Sequence, residues 1–135
     1  MSNRIQPSLF LRRVLLADAT VSAVTGVGLT LGSGALQALL GLPASQLWLA
    51  GVASLPFAGY LLWLATRDAV PRAAVWAPIM LNVVWAAECL FVALNGSASP
   101  TLAGEAFLAV QVLGALALAE LEFLGLRRSC AIVAA

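Results

Sequence analysis

The sequence predicts an all-α, polytopic membrane protein: an antiparallel bundle of four transmembrane helices. Three observations predict it. Hydrophobic residues make up 62% of the 135-residue chain and charged residues only 10%, against about 25% in a typical soluble domain. Mean hydropathy is +1.00, so too few charges exist to keep a body of this size hydrated on all sides. Four separate apolar stretches each approach the ~20 residues that cross a ~30 Å hydrocarbon core as a helix.

The four spans run from Val14 to Leu31, Leu47 to Thr66, Ala73 to Leu94 and Leu102 to Leu126, within a single domain covering 1–135. Each is apolar nearly all round and rich in Ala and Leu, which favours helices over the alternating strands of a barrel. Turn signals separate them: Gly32-Ser33-Gly34 and Gly41-Leu42-Pro43, then Arg67-Asp68 through Pro71-Arg72, then Asn95-Gly96-Ser97 through Pro100. The apolar run Ala35–Leu40 is too short to span and is expected to lie as a short helix in the outer interface. No small-residue cleavage site follows the first apolar stretch, so it is expected to be retained as a span.

All basic residues are arginines, and their placement orients the chain. Arg4, Arg12 and Arg13 precede the first span, Arg67 and Arg72 separate the second from the third, and Arg127 and Arg128 follow the fourth. The other two connections carry none. By the positive-inside rule this predicts an inner-membrane, multi-pass protein with both termini cytoplasmic. Trp48, Trp63 and Trp76 fall near span ends, where indole rings favour the headgroup region, whereas Trp85 lies mid-span.

In lipid, helices associate through close packing of small residues. Ser22 with Gly26, Gly28 with Gly32, and Ser54 between Ala50 and Ala58 supply such spacings. Pro56 and Pro78 interrupt the second and third spans and are expected to bend them.

Ionisable groups inside a span are costly and so mark candidate sites. Asp18 lies about 7 Å past Arg13 by helical rise, within reach of neutralisation by Arg12 or Arg13, with Ser22 and Thr25 on the same face. Glu88 lies about 9 Å from the other end of its span, where no arginine exists, so its carboxyl is either protonated or turned to water. Asn82, Trp85 and Cys89 adjoin it, and Gln111 on the fourth span is expected opposite Asn82. Glu105 opens the fourth span, where the helix N-terminus favours a carboxylate. Glu120 and Glu122 diverge by about 200° around that helix; Glu122 is the expected inward group, and one of the two is expected to pair with arginines.

No histidine is present, and Cys89 and Cys130 are expected near opposite faces. Neither a metal site, a cofactor nor an enzymatic activity is therefore expected. The net charge of +1 argues against nucleic acid. The expected partners are the lipid bilayer and other membrane-protein subunits or a second copy.

The segments LRRVLLADA, LLGLP, LNVVW and AELEFLGLRR together resemble a group of small bacterial four-helix inner-membrane proteins, over roughly Leu11 to Arg128. That likeness implies no activity. In size and helix count the chain is also similar to the small multidrug resistance transporters, which dimerise around a membrane-embedded Glu in the first helix. Here the matching helix carries Asp18 close behind two arginines and lacks that family's aromatic surroundings, which argues against a multidrug exporter; the motif residues of fluoride channels are missing too. An accessory, assembly or structural subunit needs only the packing faces and is the expected role. The alternative is a small proton- or cation-coupled transporter or channel using Glu88 and Asp18.

Overall fold

The computed structural model describes residues 3–95 and 99–132. Four helices dominate: α1 (Leu9–Leu40), α2 (Ala44–Thr66), α3 (Arg72–Leu94) and α4 (Leu102–Arg128). All four are long and apolar enough to cross a membrane. Gly96 and Ser97 of the expected third turn lie outside the described residues.

α1 corrects the expected first span. It runs 32 residues without a break, about 48 Å at 1.5 Å per residue, and absorbs both Gly32-Ser33-Gly34 and the run that was to form a separate interfacial helix. Each glycine weakens a helix by only about 1 kcal/mol, and an apolar sequence offers the backbone no competing partner. The helix starts where the Ser8 hydroxyl accepts from Leu11 N, and it stops at Gly41. Gly41 has φ 70°, returns its N–H to the Gln37 carbonyl, and is closely approached by the Ser99 and Thr101 backbone.

α1 and α2 pack along one another: Arg12 Nη1 donates to the Ala65 carbonyl at 3.1 Å, and Gly26 meets Gly51 and Leu55. α1 also meets α4 near both ends, Leu11 against Gly125 and Leu40 against Gly104. α3 and α4 share the tilted pair Trp76–Phe123. α2 and α3, by contrast, scarcely touch. Tyr60 Oη donates to the Ala74 carbonyl at 2.7 Å near their link, and beyond it the two helices diverge.

Three very short strands, which no sequence pattern announces, close one end. β1 (Arg4–Gln6) lies between β2 (Val70–Pro71) and β3 (Cys130–Ala131), antiparallel to both. Ser129 Oγ accepts from Ser8 N at 3.0 Å and donates to the Gly125 carbonyl, and Ile5 and Val70 are buried. The three arginine-bearing segments thus meet at one end. There Arg67 lies over Trp63, Arg127 over Phe123 and Arg128 over Phe10, the cation–aromatic contacts suited to an interface.

Two apolar clusters follow. One, around Leu11, Leu15, Leu61, Leu64 and Val75, sits toward the arginine end; the other, around Leu29, Leu40, Leu47 and Leu108, sits toward the opposite end.

Candidate functional site

At the inner edge of the first cluster, three helices each place one polar side chain on an otherwise apolar buried stripe. On α1, Asp18 falls among Leu11, Val14, Leu15 and Ala19; on α3, Asn82 falls among Val75, Ile79 and Ala86; on α4, Glu122 falls among Ala115, Ala119 and Leu126. The spacings of three and four that bury the apolar residues bury these as well. Asp18 is 1%, Asn82 6% and Glu122 0% exposed.

Asn82 joins the other two. Its Nδ2 donates to Asp18 Oδ2 at 2.8 Å and to Glu122 Oε2 at 3.3 Å, while Ser22 Oγ donates to Asp18 Oδ1 at 3.1 Å. Both hydrogens of one amide are thus spent on two carboxylates. Glu122 Oε1 is buried and has no hydrogen-bond partner among the described residues.

No arginine neutralises the pair. The expected partner of Asp18, Arg12, instead donates to the Ala65 carbonyl and lies 3.9 Å from Asp68, because its side chain turns toward α2 and the loop beyond it. Arg13 is exposed. Arg127 and Arg128 rest on phenylalanine rings rather than on either glutamate. Glu120 is exposed and Glu122 is the inward residue.

Asp18 and Asn82 line a cavity of about 530 Å³ that also receives Ser22, Thr25, Ser54 and Gln111. A second cavity of about 500 Å³ lies toward the arginine-free end and takes in Leu47, Leu108, Gln46 and Glu88. Ala50, Ala53, Leu81 and Trp85 line both. Trp85 Nε1 donates to Gln111 Oε1 at 2.9 Å. Gln111 therefore faces Trp85, not Asn82 as expected: the indole, one turn beyond Asn82, reaches across to α4, and Asn82 is committed to the carboxylates.

The remaining candidates scatter. Glu88 is exposed, on the lining of the second cavity, and does not join Asp18, whereas Cys89 beside it is buried. Among the packing residues, Ser22 binds Asp18 and Ser54 returns its hydroxyl to the Ala50 carbonyl. Gly26 sits against α2, where it meets Gly51, a glycine that no small-residue spacing of α2 marks. A Cβ built on Gly28 meets nothing, and one on Gly32 meets only Leu36 of the same helix, so of the two small-residue faces that α1 offers, Ser22–Gly26 or Gly28–Gly32, it is the Gly26 face that packs within the chain. Gly28 lies two residues on from Gly26, about 200° around the helix, and so points away from α2. Among the described residues no group of three acidic, Cys or His side chains could hold a metal ion.

Four apolar helices with a polar cluster between them describe a multi-pass membrane protein. Comparison with protein-family models, with curated proteins and with solved structures finds no match.

Proposed function

We propose that this chain is a small carrier of the bacterial inner membrane, an antiparallel four-span bundle with both termini in the cytoplasm, which couples transport to binding and release of a proton or other cation at Asp18 and Glu122. One observation carries the reading: two buried carboxylates share a single amide donor, with no basic side chain to neutralise them. Two adjacent carboxylates in a dry site cannot both stay charged without a cation. A proton or cation must therefore be held there, and the cavity at Asp18 supplies a route for exchange. The gathering of all arginine-bearing segments at one end supports the orientation, since one leaflet then receives every positive charge.

The role first expected, an accessory subunit, has one observation in its favour. The weak contact between α2 and α3 leaves room for a span of another protein. A stoichiometric partner co-purifying from native membranes would favour that reading.

The test is acid loading of proteoliposomes with an internal pH dye, repeated under Na⁺ and K⁺ gradients. Wild type should restore internal pH faster than empty vesicles, and Asp18→Asn and Glu122→Gln should lose that recovery while melting in detergent is retained. Recovery no faster than in empty vesicles under every gradient, or unaltered in both variants, overturns the proposal.

A further inference from the structure

We infer that the cargo of this site is a lipid-soluble amine with at least one N–H on its charged head, reaching Asp18 from the bilayer through the cavity that Asp18 lines. The inference rests on the carrier reading and specifies its cargo. The first observation is the cavity: about 530 Å³ is enough for a drug-sized apolar body. Its lining is mostly apolar, with Asp18, Ser22, Thr25, Ser54, Asn82 and Gln111 as its polar side chains.

The second is where the cavity opens. Val21 on α1 and Val110 and Leu121 on α4 line it and are also exposed on the flank of the chain. On spanning helices such residues face acyl chains, so an amphiphile dissolved in the bilayer meets this rim directly.

The third is the chemistry at the inner end. Asp18 lines the cavity without a basic partner among the described residues, while Glu122 lies outside the lining, joined to it through the same Asn82 amide. The carboxylate at the cavity wall is therefore short of a positive partner, and a protonated amine supplies that charge through N–H groups that carboxylates bind strongly. Asp18, Ser22, Thr25 and Gln111 line the same cavity with oxygen-bearing side chains. Among the described residues two aromatic rings, Phe57 and Trp85, line the cavity, and the Trp85 N–H is already used. Quaternary ammonium groups are recognised by cages of aromatic faces; this site offers acceptors, which favours a head bearing N–H.

The experiment measures equilibrium binding of 4-phenylbutylamine and of its N,N,N-trimethyl counterpart to wild type in phosphatidylcholine nanodiscs, with empty nanodiscs subtracted. Saturable binding of the primary amine is expected, with the trimethyl compound weaker by at least about tenfold. Asp18→Asn should lose the primary amine. Gly114→Leu provides an arm that leaves the acids alone: Gly114 lines the cavity, and a Cβ there meets nothing within 4 Å, so leucine should fill the space without disturbing the fold. It should abolish amine binding with melting retained. Equal binding of the two compounds, or primary-amine binding unchanged in Asp18→Asn or in Gly114→Leu, overturns the inference. No saturable amine binding, alongside acid-driven pH recovery that still needs Asp18, removes the amine alone and leaves the carrier standing.

Discussion

Asp18 on α1 and Glu122 on α4 hang from one nitrogen, the Nδ2 of Asn82 on α3, at 2.8 and 3.3 Å. Three helices are therefore tied at a single amide. The carboxylates are 104 positions apart in the chain, and among the described residues neither has another side-chain donor apart from Ser22 on Asp18. The arrangement joins packing to chemistry, because the amide that ties the three helices is also the donor the two acids share.

The first prediction concerns that amide. An ordinary hydrogen bond between membrane helices contributes about 0.6 kcal/mol. Asn82→Leu keeps the branched shape but strands two buried carboxylates, so the loss should be about 2 kcal/mol or more. Reversible unfolding in mixed detergent measures it. A loss no larger than that of an ordinary bond would show that the acids find other donors.

The second concerns close packing. A Cβ on Gly51 would lie 2.5 Å from Thr30 Oγ1, 2.6 Å from Thr30 N and 2.9 Å from the Gly26 carbonyl. Gly51→Ala must push α1 and α2 apart and should cost about 1–3 kcal/mol. Gly28→Leu, which meets open space within the chain, should stay within about 0.5 kcal/mol. The same unfolding assay compares them; a large loss at Gly28 would mean that another molecule packs on that face.

A third tests the small sheet. Ile5 is 1% exposed at the centre of β1, against Val70. Ile5→Ala should cost about 2 kcal/mol and should expose the arginine-bearing link between α2 and α3 to limited trypsin digestion. An unchanged digestion rate would show that the strands do not hold that end together.

The fourth separates the acids. Glu88 is exposed and lies on the second cavity, away from the Asn82 amide. Acid-driven pH recovery should survive Glu88→Gln, with a change in rate of less than about tenfold, whereas Glu122→Gln should stop it. The reverse pattern would move the coupling site to Glu88.

Much of the fold was legible in the residues because hydropathy and charge are local properties. Four apolar stretches separated by hydrated links must become helices in lipid, since no other open segment satisfies its own backbone there. The arginine distribution and the inward side of Glu122 were legible for the same reason. The length of α1 was not: Gly32, Ser33 and Gly34 carry a turn signal, and only the continuous apolar surroundings keep the helix going to Leu40. The sheet was not legible either, because strands of two and three residues have no period to read.

The site divides along the same line. Asp18, Asn82, Glu88 and Gln111 stood out individually, since each is a polar group in an apolar run whose burial has a cost wherever it falls. Their partners did not. Whether Asp18 meets Arg12, six residues back along its own chain, or Glu122 on the last helix depends on how each helix is rotated about its axis and on its register against its neighbours. Those are set by contacts such as Gly26 on Gly51, Leu11 on Gly125 and Leu40 on Gly104. Composition supplies the helices and their depth; the meeting of Asp18 with Glu122 follows from side-chain packing between segments far apart in the chain, which no local pattern encodes.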